Sequence, residues 1–153
     1  AQQIETLRAA YDAARTVGRE ILIEIIASKA GPVDERTTAR ALAEIYAAGL
    51  KPDWWKLEPQ QSAAAWREVD AVIAANDPLC RGVVMLGLDA PMDTLRASFA
   101  LAKSSATVRG FAVGRTLFGD AARAWFAGRM SDEEAVADMA ARFKALCAVW
   151  EGV

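Results

Sequence analysis

Two charged residues stand inside apolar, strand-like segments of the chain. Glu24 lies within residues 21–26 (ILIEII), and Lys56 lies within residues 53–59 (DWWKLEP). Burying either charge costs several kcal/mol unless it is paired or neutralised. If the two segments are neighbouring strands, we expect a buried acid beside a buried amine, and such a pair can perform carbonyl chemistry through a Schiff base.

The chain contains no histidine, which narrows the chemistry that it can perform. Histidine is the usual general base of serine and cysteine hydrolases and the commonest ligand of transition metals. Carboxylates, amines, phenols and guanidinium groups remain. A Schiff-base lysine assisted by a carboxylate fits this inventory, and we expect a site with neither a metal nor a cofactor.

The composition excludes several classes of protein. The chain has 153 residues, of which 54% are hydrophobic, and a formal net charge of -2, so we expect one globular domain over residues 1–153. Nucleic acid binding needs a concentrated basic face, which the sequence lacks. No apolar run reaches the roughly 20 residues of a membrane span, and two cysteines without CxxC spacing suit a reducing compartment. We expect a cytoplasmic protein whose partner is a small molecule.

Helical and strand patterns alternate along the chain. The spacing of apolar residues predicts one helix followed by four strand–helix units, with an extra short helix after the fourth strand. The expected helices cover residues 2–17, 35–48, 62–75, 91–103, 118–127 and 132–150, and the expected strands cover residues 20–28, 53–58, 82–88 and 109–114. This alternation predicts an α/β fold with a parallel sheet and right-handed crossovers.

Two architectures fit four strand–helix units. A doubly wound open sheet should have a glycine-rich phosphate turn after its first strand, and residues 27–32 do not form one. A (β/α)8 TIM barrel has about 250 residues, so four units would be its C-terminal half, equivalent to strands five to eight. The other half would come from a second copy in a homo-oligomer, or from an N-terminal half-barrel in a longer parent chain. The helix at residues 2–17 favours the longer chain.

Side chains alternate between the two faces of a strand, which predicts the residues that share a site. Trp54, Lys56 and Glu58 share one face of the second strand, and Glu24 lies on the matching face of the first. Adjacent strands lie about 4.8 Å apart, so Glu24 and Lys56 can interact. Trp54 and Glu58 are candidates to line the substrate, Glu58 as a polar group at the strand mouth rather than a catalyst.

A phosphate-binding position is predicted at the end of the fourth strand. Gly114 exposes backbone N–H groups there, and Arg115 adds a guanidinium that can hold phosphate through two hydrogen bonds. TIM barrels hold phosphate at this point, with the N-terminus of a short helix as a further donor. Gly87, at the end of the third strand, would let phosphate approach the backbone, and Asp89 is expected to cap the next helix.

Several segments resemble a known enzyme family. Residues 21–26 (ILIEII), 54–59 (WWKLEP) and 110–115 (GFAVGR) are similar, in that order, to class I aldolases of the tagatose-bisphosphate type. A second set of motifs covers residues 53–59 (DWWKLEP), 81–91 (RGVVMLGLDAP) and 110–116 (GFAVGRT). They resemble more closely the aldolase-like C-terminal domain of bifunctional myo-inositol catabolism proteins, which join 5-dehydro-2-deoxygluconokinase to 5-dehydro-2-deoxyphosphogluconate aldolase. The resemblance covers essentially the whole chain, which corresponds to the second half of the family's barrel without the kinase domain.

The resemblance implies an activity and residue roles. Lys56 matches the Schiff-base lysine, Glu24 the carboxylate that acts as general acid and base, and Gly114 with Arg115 the phosphate grip. The implied activity is that of an aldehyde-lyase of carbohydrate metabolism, which cleaves 5-dehydro-2-deoxygluconate 6-phosphate to dihydroxyacetone phosphate and malonate semialdehyde. Residues 87–89 read Gly-Leu-Asp where tagatose-type aldolases have Ser-Ala-Gly, so a serine contact to phosphate is missing.

Each site residue also has a plainer interpretation. Glu24 and Lys56 can form a structural ion pair, Arg115 can cap a neighbouring helix or pair with Asp120, and Trp54 can serve packing alone. The whole chain can also be a noncatalytic phosphosugar-binding or regulatory domain attached to a sugar kinase. That second function predicts that phosphosugar binding survives the loss of Lys56.

Overall fold

The computed structural model describes residues 2–88 and 90–153, in which four strands alternate with helices. The strands are β1 (Leu22–Ile25), β2 (Trp54–Leu57), β3 (Gly82–Leu86) and β4 (Val108–Ala112). The helices are α1 (Gln2–Thr16), α2 (Thr37–Ala47), α3 (Ala63–Asn76), α4 (Met92–Ala102), α5 (Arg115–Phe126) and α6 (Asp132–Glu151), and a short 3-10 helix (Ala27–Lys29) follows β1. Each predicted helix and strand is present. Asp89, the predicted helix cap, lies outside the described residues.

Two elements differ most from the prediction. The first strand has four residues rather than nine, because the chain turns into the 3-10 helix directly after it. Helix α5 begins at Arg115 rather than near residue 118, because the carbonyl of Gly114 accepts the N–H groups of Leu117 (2.8 Å) and Phe118 (3.2 Å). Arg115 therefore occupies the first position of a helix rather than a loop.

Local hydrogen bonds explain several helix ends. The sequence Ser131-Asp132-Glu133-Glu134 predicts a capping box at the start of α6. It is confirmed, because the hydroxyl of Ser131 accepts the N–H of Glu134 and the carboxylate of Glu134 accepts the N–H of Ser131. The helical pattern at residues 35–48 predicts Asp34 as its N-cap and Gly49 as the glycine that ends it. Gly49, with a φ of +77°, does follow α2, in a left-handed conformation that suits glycine. Asp34 does not cap α2 directly. Its carboxylate accepts the N–H of Arg36 at 2.9 Å in a turn before the helix.

The four strands form one sheet in the order β1-β2-β3-β4. All three strand pairs are parallel, which confirms the predicted α/β fold with parallel strands. A helix follows each strand, as the connection of parallel neighbours requires. The register shifts between Val83 and Val84, so β4 has one extra residue opposite β3. No described helix combines the length and the apolarity needed to cross a bilayer.

One face of the sheet forms the hydrophobic core with the helices. Alternate strand residues are buried on this face: Ile23, Trp55, Leu57, Val83 and Met85. The helices contribute buried side chains to the same cluster: Leu42, Trp66, Val69, Leu95, Phe99 and Leu146. The indole N–H of Trp55 donates to the hydroxyl of Tyr46 at 2.7 Å, so burial leaves it hydrogen-bonded. The predicted alternation of side chains is therefore present on this face.

The opposite face of the sheet is more open than predicted. Apolar side chains on both faces of residues 20–28 predict a strand that is buried on both sides. In the structure, Leu22 is 45% exposed and Ile23 is the one residue of β1 that is buried. The reason is position, because β1 lies at the edge of the described sheet and the core lies on its other side. Glu24 and Lys56 lie on this open face.

Asp53 joins α1 to the sheet. Its Oδ2 accepts the N–H of Ile21 at 2.9 Å and forms an ion pair with Arg15 at 2.9 Å. The guanidinium of Arg15 also donates to the carbonyl of Lys51 at 2.9 Å. Partial burial raises the pKa of Asp53, but the hydrogen bonds from Ile21 and Arg15 outweigh it, so this pKa lies below its ordinary value. These contacts hold a helix that has no buried residue of its own.

Replacing Asp53 with asparagine is expected to lower the free energy of unfolding at pH 7 by about 1–3 kcal/mol, because a carboxylate with two donors is lost. The folded-state pKa is depressed, so this stabilisation is present above the unfolded pKa of about 3.9. It is lost as the pH falls through the lower folded value. Urea unfolding of the wild type, Asp53→Asn and the exposed control Asp12→Asn should show a gap at pH 7 that narrows near pH 3. An equal gap at both pH values would contradict the assignment.

Candidate active site

Glu24 and Lys56 meet on the open face of the sheet. They are direct partners in the register of β1 and β2, and the Nζ atom of Lys56 lies 2.8 Å from Oε1 of Glu24. The predicted contact is therefore present, but the predicted burial is not, since the side chains are 27% and 41% exposed. Ion pairs with this exposure contribute about 0–1 kcal/mol. Stability alone gives little reason for two charges in apolar strands.

The sheet next to this pair carries little bulk. Lys56 is level with Val84 of β3, which in turn is level with Gly110 of β4. A Cβ atom at Gly110 would meet nothing within 4 Å. The face is therefore open above Gly110 of β4.

Glu58 follows Lys56 by two residues and is 5% exposed. Its Oε1 accepts the N–H of Ser28 at 3.0 Å. It lines a cavity of about 200 Å³ at the carboxyl ends of β1 and β2, together with Ser28, Thr38 and Gln60. The sequence pattern indicated Glu58 but not these three. They come from three separate segments, which are the 3-10 helix after β1, the start of α2 and the loop after β2. The nearest signal was the position of Gln60, directly after the strand end and Pro59.

Trp54 lies at the start of β2, on the side of Lys56 away from Glu58. It is half-buried, and its indole N–H donates to Oε2 of Glu20 at 3.1 Å. This contact gives the side chain a packing role at the amino end of the sheet. A contact between Trp54 and substrate stays a prediction.

Gly114 and Arg115 form the start of α5. The N-terminus of a helix favours anions through its exposed N–H groups and its dipole. A Cβ atom on Gly114 would lie 3.1 Å from Cε1 of Phe118, so a larger residue would be crowded here. Gly114 and Arg115 thus lie at a helix N-terminus rather than in a loop before it, and their contact with phosphate stays a prediction.

A second cavity, of about 630 Å³, lies between the starts of α4 and α5 and the side of α6. Three arginines line it, Arg115, Arg123 and Arg142, with Asp120 among them. Asp120 pairs with Arg123 and, at 3.2 Å, with Arg142. Hydrogen bonding from Arg123 and the nearby guanidinium charges lower the pKa of Asp120. Arg142 also pairs with Asp138 at 2.7 Å, so Asp120 and Asp138 together offset two of the three guanidinium charges at this cavity. Arginine side chains are suited to bind an anionic group.

Arg123 and Arg142 were not indicated by the sequence analysis. Arg123 lies eight residues after Arg115, which is slightly more than two turns of the helix. This spacing was the feature of the sequence that could have suggested Arg123 as a neighbour of Arg115. Arg142 comes from α6 and reaches the cavity through the packing of α5 against α6. Position on one helix could have suggested the first, but the second depended on tertiary structure.

Gly87 has a packing reason to be glycine. A Cβ atom there would lie 2.9 Å from Cγ1 and 3.0 Å from Cγ2 of Val113. The space beside the Gly87 backbone is therefore occupied by the neighbouring segment after β4. Packing against Val113 is sufficient to explain why this residue is glycine. A contact between Gly87 and phosphate stays a prediction.

Comparison with known proteins assigns the chain to a family. The model of a family described as "Uncharacterized protein conserved in bacteria (DUF2090)" matches residues 1–153. No curated protein matches the chain.

Proposed function

The chain belongs to the DUF2090 family, and we propose that it is a class I aldolase domain that uses Lys56 as its Schiff-base residue. The proposed reaction cleaves 5-dehydro-2-deoxygluconate 6-phosphate to dihydroxyacetone phosphate and malonate semialdehyde. One observation carries the proposal: an amine and a carboxylate lie 2.8 Å apart on adjacent strands of the open face. The specific substrate comes from the resemblance of the motifs to the inositol catabolism aldolases.

The pair supplies both groups that imine formation needs. Glu24 takes a proton from the ammonium group of Lys56 across the 2.8 Å contact. The neutral amine attacks the ketone at the fifth carbon of the substrate, and the ketone oxygen leaves as water with the proton that Glu24 returns. The product is an iminium ion that draws electrons from the bond between the third and fourth carbons.

The same carboxylate serves the cleavage step. Glu24 takes the proton of the hydroxyl on the third carbon as the carbon–carbon bond breaks. The bond electrons pass to the iminium nitrogen, leaving an enamine on Lys56 and free malonate semialdehyde. Glu24 then protonates the enamine carbon, and water hydrolyses the imine to release dihydroxyacetone phosphate and the lysine.

A cavity lined by three arginines is available to the phosphate group. Arg115 lines the larger cavity with Arg123 and Arg142, and the start of α5 adds backbone donors. Fixing the phosphate there would orient the ketone relative to Lys56. The smaller cavity beside Glu58 bears a negative charge, so it is unsuited to the phosphate or the carboxylate of this substrate.

We propose that the sheet is the C-terminal half of a (β/α)8 barrel. Its strand order follows the chain, whereas a doubly wound sheet reverses its order at the ligand crevice, and the four described strands show no reversal. The face with Glu24 and Lys56 would point into the barrel, closed by the N-terminal half of a longer chain or by a second copy. A larger structure in which antiparallel strands extend β1 or β4 would contradict this proposal.

Borohydride trapping tests the proposed chemistry. The wild-type chain is incubated with dihydroxyacetone phosphate, reduced with sodium borohydride and digested, and the peptides are mapped by mass spectrometry. We expect a single adduct of dihydroxyacetone phosphate, on the peptide that contains Lys56. A stable adduct on other lysines alone, or no adduct, would reject Lys56 as the Schiff-base residue.

A second function has its own observation in support. Lys56 is held in an ion pair, and the arginine-lined cavity does not include it. A noncatalytic phosphosugar-binding or regulatory domain attached to a sugar kinase would use that cavity alone. This function predicts that dihydroxyacetone phosphate binds with equal affinity to the wild type and to Lys56→Ala, without any carbon–carbon cleavage by the wild type.

Replacing Arg115 with alanine is expected to weaken the binding of dihydroxyacetone phosphate by about 10- to 100-fold, because a hydrogen-bonded charged contact is worth about 1.5–3 kcal/mol. Isothermal titration calorimetry measures the affinity. Arg129→Ala is the matched control, since Arg129 is exposed and does not line the cavity. Equal affinities of the wild type and Arg115→Ala would remove Arg115 from the phosphate site in either function.

A further inference from the structure

Three polar side chains are buried at one end of the sheet. Thr38, Glu58 and Gln60 are 3%, 5% and 7% exposed, and all three line the cavity of about 200 Å³. A buried carboxylate is costly unless hydrogen bonds replace its water. The hydrogen bonds that Glu58 receives therefore show whether its carboxylate can still accept one from a ligand.

Among the described residues, the side chain of Glu58 has one hydrogen-bond donor. Its Oε1 accepts the N–H of Ser28 at 3.0 Å, and its backbone carbonyl accepts the side-chain amide of Gln60 at 2.8 Å. Within residues 2–88 and 90–153 no protein group donates to its Oε2. The other acid of the cavity, Asp34, is already bound by Arg40 at 3.0 and 3.1 Å. Glu58 is therefore the carboxylate that a ligand can engage.

The cavity limits the ligand group that fits it. A carboxylate accepts hydrogen bonds and repels anions, which excludes phosphate and carboxylate groups. Calcium and magnesium need several oxygen ligands, and the described residues hold no cluster of three metal-binding side chains. Whole-ligand pockets occupy about 300–1,000 Å³, so 200 Å³ suits one small part of a ligand. A hydroxyl group meets these conditions.

We propose that Glu58 determines specificity by accepting a hydrogen bond from the substrate hydroxyl on the carbon next to the imine carbon. The inference rests on the proposed function for the identity of that carbon. Glu58 follows Lys56 by two residues, directly after the end of β2, and two residues of extended chain span about 6.6 Å. This hydroxyl is on a carbon bonded to the imine carbon, so it is directed toward one end or the other of β2. The cavity lies at the carboxyl end, where Glu58 supplies the acceptor.

Two probes that differ by one hydroxyl test this inference. Dihydroxyacetone phosphate carries the hydroxyl in question, and hydroxyacetone phosphate has hydrogen in its place. Calorimetric affinities for both are measured in Lys56→Ala, which cannot form the imine, alone and combined with Glu58→Gln or Glu58→Ala. We expect Lys56→Ala to prefer dihydroxyacetone phosphate by about tenfold or more, as for a hydrogen bond to a charged group.

The Glu58 variants complete the test. Glu58→Gln retains the shape of the side chain and an oxygen that can accept from Ser28, and we expect a preference reduced to a few-fold. Glu58→Ala should bind both probes equally, with its affinity for hydroxyacetone phosphate unchanged. Glu44→Gln, on the exposed side of α2, is the control and should keep the full preference. Equal affinities for the two probes in Lys56→Ala, or a preference that survives both Glu58 variants, would overturn the inference.

This experiment separates the two proposals. Hydroxyl preference is measured without an imine, whereas the Schiff base is measured by borohydride trapping of the wild type. A preference that depends on Glu58, without trapping at Lys56, rejects the aldolase and retains the hydroxyl site. Trapping at Lys56 without any hydroxyl preference does the reverse.

Discussion

Replacing Lys56 with arginine is expected to reduce carbon–carbon cleavage by at least about 10³-fold, to the limit of detection. Loss of a covalent nucleophile removes the whole reaction path that depends on it. Arginine keeps the positive charge but is not a nucleophile at any pH that a folded protein tolerates. It can also pair with Glu24, so the sheet should remain folded. The variant therefore separates the charge of Lys56 from its chemistry.

A coupled assay of dihydroxyacetone phosphate formation measures this effect, with borohydride trapping as a second readout. Lys51→Arg is the matched control, because Lys51 is exposed and precedes the same strand. It should cleave and trap like the wild type. Lys56→Arg should do neither, while its urea midpoint stays close to that of the wild type. Cleavage within tenfold of the wild type would show that Lys56 is only the positive half of an ion pair.

Replacing Glu24 with glutamine is expected to slow cleavage by about 10²- to 10⁴-fold, the range that general acid–base catalysis supplies. Glutamine keeps the size of the side chain and can contact Lys56, but it cannot carry the proton of the substrate hydroxyl. The carbon–carbon bond therefore has no internal base. Imine formation should also become slower, because Glu24 handles its protons too, but trapping requires no carbon–carbon cleavage. An overnight reaction with dihydroxyacetone phosphate should therefore still give a trappable adduct on Lys56.

The two readouts distinguish a base from a structural partner. Glu24→Gln should retain at least half of the wild-type adduct in an overnight borohydride reaction while losing turnover. Glu44→Gln, an exposed exchange of the same kind, should lose neither. If Glu24→Gln lost the adduct and the fold together, the role of Glu24 would be to hold the sheet. If it lost neither, another group would be the base.

Much of the fold is visible in local pattern. Two features of helix ends act within one helical turn: the capping box at Ser131 and Glu134, and the glycine after α2. A few residues of sequence are therefore enough to predict them. The alternation in β2 placed Trp55 and Leu57 in the core, and both are fully buried. The bounds were less predictable. The end of β1 depends on a 3-10 helix, and the start of α5 depends on the carbonyl of Gly114.

The candidate site also has features that the sequence predicts and features that it does not. Glu24 and Lys56 were predicted as neighbours because each stands out in its own strand, and the parallel register places them level. Their burial could not be predicted from apolar neighbours in sequence. The residues directly before and after a charged residue lie on the opposite face of the same strand. Their apolar character shows that this opposite face is buried, which is the face that the helices cover. The charge itself lies on a face whose cover is set by other elements.

The sequence by itself determined the order of helices and strands, the parallel sheet and the two strand residues that form the ion pair. These properties follow from periodicity and capping, which act over a few residues. Tertiary structure alone decided that the pair is partly exposed, that Thr38 and Gln60 surround Glu58, and that Arg142 joins the cavity of Arg115. Burial and cavities arise where segments distant in sequence pack together, so no local pattern contains them.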